Sequence, residues 1–361
     1  MEPPLSRRPA RRRATARRAT LALAAAVAAL ALAACSTPAT SSQTTPPADP
    51  AGSAASSGAA EGSGDAGTED SAYPVTIDTK FGPVTIEERP ERVVALGWGD
   101  AELALAFGVQ PVGAADWLAF GGEGVGPWAE GLYDSAPEII GTMEPSYEAI
   151  AALEPDLILD VRSSGDAERY ERLSTIATTV GVPDGGDSWL ATRDQQVGMI
   201  AAALGQTERG EELVAEVDDA FAEVSAAHPE WAGKTVTVAT RTADGWGAYA
   251  ATDGRVQLLE NMGFTLSPTI AALPVDENGW SVSISAEQLD LLDADLLVAF
   301  PIFIDASEIT DDAGWQLVPA VADGRSIVVT DDLSQAFSLG TPAAQLYAID
   351  HFTSLIESAI G

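Results

Sequence analysis

Ser146-Tyr147-Glu148-Ala149-Ile150-Ala151-Ala152-Leu153-Glu154-Pro155-Asp156-Leu157-Ile158-Leu159 aligns without a gap on Ser285-Ala286-Glu287-Gln288-Leu289-Asp290-Leu291-Leu292-Asp293-Ala294-Asp295-Leu296-Leu297-Val298. The serine, the glutamate, a leucine, the aspartate and the leucine after it coincide, and several other positions exchange conservatively. Each copy predicts an N-cap serine, a short helix, then an aspartate-led strand apolar enough to be buried on both faces. The duplication marks two halves of similar build. In both copies the glutamate falls in the first helical turn, where the helix dipole stabilises a carboxylate. That preference explains one copy, but its recurrence at the same point of both halves points to a function.

Outward from these units, from Tyr73 onward, short runs rich in Val, Ile and Leu alternate with amphipathic stretches of about ten residues or more. This pattern predicts parallel sheets covered by helices, an α/β class. Arg92-Val93-Val94-Ala95-Leu96 reads as a strand, residues 100–107 as a helix and Pro111-Val112-Gly113 as the next strand. A second series starts at Lys234 with Val236-Thr237-Val238-Ala239. Between the series, residues 191–227 read as one long helix with apolar positions Val197, Ile200, Leu204, Leu213, Val217 and Phe221, a stiff strut between the halves. The expected division is a signal peptide over 1–34, a lipidated cysteine and disordered linker over 35–72, an N-terminal lobe over 73–190, the spanning helix over 191–227 and a C-terminal lobe over 228–361.

Charge is distributed as unevenly as hydropathy. The 361 residues carry 54 acidic and 19 basic side chains, a formal net charge of -35, and seven of the cations (Arg7, Arg8, Arg11, Arg12, Arg13, Arg17 and Arg18) precede residue 19. Such a surface repels phosphate backbones and excludes a nucleic-acid partner. Residues 21–34 form an apolar run of fourteen residues behind the arginines, too short to span a bilayer and laid out like a secretory signal peptide. The run ends in Leu32-Ala33-Ala34-Cys35, which resembles the lipobox of bacterial lipoproteins, with Cys35 the residue that takes the lipid. Arg17-Arg18 matches a twin-arginine pair, but an arginine-rich leader offers several such pairs by chance. Cys35 is the single cysteine, so a disulfide framework and a cysteine-built metal cluster are excluded. Residues 36–72 are almost wholly Ser, Thr, Ala, Gly, Pro and acid, a tether composition. Within them Gly62-Ser63-Gly64-Asp65-Ala66-Gly67 matches a dinucleotide fingerprint, but neither the preceding strand nor the following helix is there, so the match is rejected.

Tyr73-Pro74-Val75-Thr76-Ile77, Gly82-Pro83-Val84-Thr85-Ile86 and Arg89-Pro90-Glu91-Arg92-Val93-Val94-Ala95-Leu96 together resemble the opening of substrate-binding proteins of ferric-siderophore ABC importers. Glu148-Ala149-Ile150-Ala151-Ala152-Leu153-Glu154-Pro155-Asp156-Leu157-Ile158 is similar to that family's central signature, and Phe337-Ser338-Leu339-Gly340-Thr341-Pro342 to the serine-rich turn before its last helix. The resemblance covers the chain from Tyr73 onward. It implies two Rossmann-like lobes joined by one long α-helix, the bilobal periplasmic-binding-protein fold of the siderophore and corrinoid type. It also implies a monomer held by its lipid at the extracytoplasmic face of the cell membrane. A ferric siderophore would lie in the cleft between the lobes, with modest closure, no cofactor and the iron held by the siderophore. One surface glutamate per lobe, Glu148 and Glu287 by motif position, would dock on arginines of the membrane permease.

Ferric siderophore complexes are bulky and commonly anionic or polar, so a site for one offers aromatic walls and a few cations. Arg89, Arg92 and Arg325 sit at turns into strands and read as structural or solvated, and Arg169, Arg172, Arg193 and Arg209 lie on helical stretches where a solvated face is the default. Arg162 and Arg241 remain, each just past a strand where open α/β sheets present binding residues, together with Arg255 in a loop beside Asp253-Gly254. Each serves equally well in an internal ion pair. Among aromatics, Trp98 and Trp117 follow the first two strands, Trp246 and Tyr249 occupy the loop after the first strand of the second half, and Phe300 ends a later strand. Trp128, Trp189, Trp231, Trp280 and Trp315 rank behind them.

Two other readings compete. The sequence has neither a Gly-x-Ser-x-Gly elbow nor a phosphate-binding loop, and His228 and His351 stand in separate contexts, which argues against a catalyst. Two histidines also argue against direct binding of bare zinc or manganese. Within the same fold, haem or a corrinoid remains open as cargo.

Overall fold

A computed structural model describes residues 72–361. The signal-peptide, lipobox and linker expectations, Cys35 included, lie outside the described residues. Described first is a hairpin, β1 (Val75–Thr79) with β2 (Gly82–Ile86). The first lobe then runs β3 (Val93–Ala95), α1 (Asp100–Ala106), β4 (Gly113–Ala115), β5 (Glu138–Ile140), α2 (Tyr147–Ala152), β6 (Leu157–Leu159), α3 (Ala167–Ser174), β7 (Thr178–Val180) and α4 (Arg193–Ala203). Its five strands form a parallel sheet in the order β5-β4-β3-β6-β7.

Alternation within these short strands explains why the sheet is covered twice. Val93, Ala95, Leu157 and Leu159 point into a core with α1, α4 and the hairpin. Their neighbours Val94, Leu96 and Ile158 point the other way, into a core with Ile150 of α2 and Leu173 of α3. Side chains that alternate direction but are apolar on both sides require helices on both faces.

After α5 (Thr207–Ala227), the second lobe runs β8 (Thr235–Thr242), β9 (Gly245–Tyr249), α6 (Gly254–Asn261), β10 (Thr265–Leu266), α7 (Pro268–Ala271), β11 (Ser281–Ile284), β12 (Leu296–Pro301), α8 (Ser307–Thr310), α9 (Pro319–Ala322), β13 (Ser326–Val328), α10 (Asp331–Leu339) and α11 (Pro342–Ile360). Its sheet has the order β11-β9-β8-β12-β13, with β10 also on β8. Here the all-parallel expectation is corrected. β9 runs antiparallel to β8 across a tight turn at Ala243-Asp244, and β11 runs antiparallel to β9.

The duplicated unit holds in its strand and breaks in its helix. Ser146 caps α2, its Oγ accepting from Ala149 N at 3.2 Å. Ser285 opens only a turn before a 3-10 helix, Leu289–Leu292, so Glu287 stands in that turn and not in an α-helix. The two aspartates do the same job in each lobe. Asp156 accepts from Glu91 N at 2.7 Å and Arg92 N at 3.0 Å, at the entry to β3; Asp295 accepts from Thr235 N at 2.7 Å and Thr235 Oγ1 at 2.9 Å, at the entry to β8. Each carboxylate ties the start of the repeat strand to the start of its neighbour. These bonds hold the Asp295 carboxyl below the usual range.

The expected single helix over 191–227 is two. Gly205, at φ 69°, turns the chain between α4 and α5, and Gln206 Nε2 fixes the turn on Phe107 O at 3.1 Å. α4 packs in the first lobe's core through Val197, Ile200 and Ala203. α5 carries the chain from one core to the other: Leu213 is buried in the first lobe's core, and Val217 and Phe221, one and two turns on, are buried in the second's.

Gly205→Ala would place a methyl 3.1 Å from the Tyr73 ring in a left-handed backbone. This substitution is expected to lower stability by about 1–2 kcal/mol in urea unfolding.

Candidate functional site

Both sheets turn strand ends toward one cavity of about 210 Å³ between the lobes. From the first lobe come Trp98, just past β3, Arg162, just past β6, and Trp189, in the segment before α4. The second lobe supplies Tyr249 at the end of β9, Arg255 in the first turn of α6, Trp280 before β11, and Phe337 near the end of α10.

Arg162 is held by carbonyl oxygens. Its Nε donates to Trp189 O at 3.3 Å and its Nη1 to Leu339 O at 2.8 Å, the second bond crossing the cleft. Among the described residues no carboxylate forms an ion pair with it. Burial accordingly pushes its guanidinium down to about 10, against the opposing pull of Asp253 and Asp100. Arg255 behaves in the opposite way. Its Nε and Nη2 make a two-pronged contact with Asp253 at 2.7 and 2.6 Å, and its guanidinium lies 3.8 Å from the Tyr249 ring centroid. Burial pulls it down, but Asp253 outweighs that and holds it above the ordinary range.

The loop carrying Arg162 is braced from below. Asp160 and Arg169 form a buried pair, Nη2 to Oδ1 at 2.7 Å and Nε to Oδ2 at 3.0 Å, and Ser163 Oγ donates to Asp160 Oδ2 at 2.8 Å. Arg169 is thus interior, contrary to the expectation of a solvated helical face. Arg193 departs from it too, lining the cavity while bonded to Asp218 at 2.6 Å.

Trp98, Trp117 and Trp189 form a cluster, Trp98 tilted on Trp117 at 5.4 Å and Trp189 edge-on to Trp117 at 5.8 Å. Trp117 is its back support, donating Nε1 to Leu96 O at 2.9 Å, and it does not line the cavity. Trp98 and Trp189 do, and each carries a buried indole N–H without a partner. Ser188 and Trp189 both adopt left-handed φ, 55° and 63°, pinned by bonds from their amides to Ser164 O and Ser163 O. Strain of this kind on non-glycine residues marks a conformation that the surroundings impose.

Three further expected contacts belong elsewhere. Trp246 lies on strand β9, not in a loop, and its ring stacks on Trp315 at 5.5 Å inside the second lobe's core. Phe300 is buried on β12 beneath the cavity, stacked at 5.8 Å on Tyr249. Arg241 turns back on its own strand to Thr242 O and lies 5.8 Å from the Trp246 ring. Neither Glu148 nor Glu287 lines the cavity; both are exposed. Sequence reading set Trp189 and Trp280 aside and missed Phe337. For Trp189 the available signal was Gly185-Gly186 just before it, which frees the chain to turn.

Among the described residues no group of three or more His, Cys, Asp or Glu is placed to hold a metal ion, and no helix is long and apolar enough to cross a membrane. The probable siderophore-binding lipoprotein YfiY of Bacillus subtilis is 28% identical over 281 residues, 73% of this chain and 82% of that protein. The Fe(3+)-citrate-binding protein YfmC of the same organism is 28% identical over 73% of this chain and 80% of its own length. PiaA of Streptococcus pneumoniae, solved in complex with ferrichrome, superposes with a TM-score of 0.68 at 26% identity, covering 79% of this chain and 98% of that one. The periplasmic binding protein family model matches residues 93–333, and with both lobes, the connecting helix and the cleft in place, the chain belongs to that family.

Proposed function

We propose that this protein binds a ferric siderophore in the cleft between its lobes and delivers it to the permease of an ABC importer for iron uptake. The observation that carries the reading is the donor set of the cavity. Arg162 is a partly buried guanidinium with no carboxylate partner, and the Trp98 and Trp189 N–H groups beside it have no acceptor. A buried donor left unmade is expensive, and a ligand rich in anionic oxygen satisfies the two indoles and gives Arg162 the counter-charge it lacks. The aromatic walls of Trp98, Tyr249, Trp280 and Phe337 suit the apolar flanks of such a complex. The ferrichrome bound to the pneumococcal relative and the names of the two Bacillus relatives support the same cargo class.

At about 210 Å³ the cavity is smaller than the roughly 300–1,000 Å³ of sites that enclose drug-sized ligands. The lobes also enclose a second opening of about 660 Å³, between Phe120 and Glu123 of the first and Asp332 and Gln335 of the second. Across the cleft the lobes meet through Arg162 with Leu339 O, Arg193 with Gln345 at 3.4 Å, Thr341 Oγ1 with Glu102 at 2.8 Å, and Leu118, Phe120 and Trp128 packed on the second lobe's core, the Trp128 ring 5.3 Å from Tyr347.

In this reading Glu148 and Glu287 are the permease contacts, one on each lobe, spaced by α5. Cys35 carries the lipid that holds a monomer at the extracytoplasmic face of the membrane, and the protein is not an enzyme. Haem or a corrinoid is the competing cargo within the same fold.

Titration with hydroxamate, catecholate and citrate ferric complexes, haem and cobalamin, followed by tryptophan fluorescence, is expected to show quenching by a ferric siderophore at sub-micromolar concentration. Response to haem or cobalamin alone would reject the cargo. Arg162→Met is expected to weaken that binding at least about tenfold, about 1.4 kcal/mol, while Arg241→Met leaves it unchanged. Glu148→Ala with Glu287→Ala is expected to keep full affinity and abolish iron uptake in cells; normal uptake would reject the docking assignment.

A further inference from the structure

Asp100 is fully buried at the start of α1, and no cation touches it. Its Oδ2 accepts from Val161 N at 2.8 Å, one residue before Arg162, and its Oδ1 accepts from Gln196 Nε2 of α4 at 2.7 Å. The same Gln196 nitrogen donates to Trp98 O at 2.8 Å, and Trp98 N donates to Arg162 O at 2.8 Å. These bonds close a ring through the exits of β3 and β6. The loop between β3 and α1 passes so closely over the carboxylate that a Cβ on Gly97 would fall 2.2 Å from Oδ2. Asp100 touches no part of the cavity itself, yet it fixes the two first-lobe residues that do.

We propose that Asp100 is a positioning residue for ligand binding: its carboxylate holds the Trp98 and Arg162 loops in register, so affinity for a ferric siderophore falls when Asp100 takes up a proton. The inference rests on the cleft being the ferric-siderophore site. A protonated carboxyl cannot accept from both Val161 N and Gln196 Nε2 in the same way, so the ring through Trp98 and Arg162 loosens. The other charged groups facing Asp100 are Asp160 and Arg162 from the segment leaving β6 and Arg169 from α3; α4 presents the neutral Gln196. Asp253 reaches Arg162 from the second lobe.

Burial raises Asp100 to about 6, with the bonds from Gln196 and Val161 pulling down and the charge of Asp160 pushing up. Because the folded value lies above the unfolded one, the stability this group confers is full below 3.8 and is lost as pH rises through about 6. An ionised Asp100 at neutral pH works against stability, as expected of a group retained for what it positions.

The test uses the whole protein, with ferrichrome and ferric citrate as probes, and measures Kd by tryptophan quenching from pH 5 to pH 8. Wild type is expected to weaken several-fold as pH falls through about 6, and Asp100→Asn is expected to bind at least about tenfold more weakly at pH 7.5, with no step. A flat wild-type profile, a step retained in Asp100→Asn, or wild-type affinity in that variant would overturn the proposal. Should Asp100→Asn fail to fold, Gln196→Met, which cuts the links to Asp100 and Trp98 O, is read in its place: weaker binding with a displaced step supports the role, and an unchanged Kd at every pH overturns it. Near-ultraviolet dichroism of the ligand-free protein reads the tryptophan cluster directly. A change near pH 6 in wild type that is absent from the variant supports the positioning, and its absence from wild type contradicts it. Failure of the cargo assignment appears differently, as no quenching of wild type by either probe at any pH.

Discussion

Leu213, Val217 and Phe221 lie one turn apart on one face of α5, yet the first is buried in one core and the other two in the next. A single rigid stripe anchored at both ends fixes how far apart the lobes stand. A helix rises about 1.5 Å per residue, so the segment between the anchors has no slack. The cleft inherits its width from this constraint, and so do the separation of Glu148 and Glu287 and the contacts that bridge the walls. A flexible linker would leave all three undetermined.

Against that frame the charges sort into two kinds. Arg169 with Asp160 and Arg255 with Asp253 are paired within a few residues in sequence, and each pair satisfies itself. Arg162, Asp100 and Glu102 are interior and lack an ion-pair contact among the described residues. Glu102 is held by neutral donors, Trp128 Nε1 and Thr341 Oγ1 at 2.8 Å and Gly126 N at 3.1 Å, and burial raises its carboxyl despite them. Uncompensated charge in one neighbourhood is hard to keep for stability alone. It lies where Trp98, Arg162 and the N-cap of α11 meet, at the cavity between the lobes.

The repeat strands β6 and β12 were legible because they are apolar on both faces and led by an aspartate, a strictly local signal. Arg162 and Trp98 were legible for a related reason, since strand ends in an open α/β sheet share one rim. Trp246 was misread because the turn at Ala243-Asp244 extends the sheet with a hairpin, and alternation along β9 sends Trp246 into the core while Tyr249 reaches the cavity. The break at Gly205 was masked by an apolar periodicity that continues across it. Arg169 and Arg193 looked like surface residues because their helices alone do not reveal what packs on them. Asp100 was invisible as a functional residue, since its partner Gln196 lies 96 positions away. Sequence pattern reports faces and periods; it carries no sign of which distant amide meets which carboxylate.

The central claim is that the cleft between the lobes is where a ferric siderophore sits. Iron scatters X-rays anomalously, so crystals grown with a ferric siderophore locate it without reference to any assumed pose. One iron is expected between the lobes, with the oxygen atoms of its ligand in reach of Arg162 and of the Trp98 and Trp189 indole N–H groups. Iron bound outside the cleft, with the cavity unchanged, would contradict it.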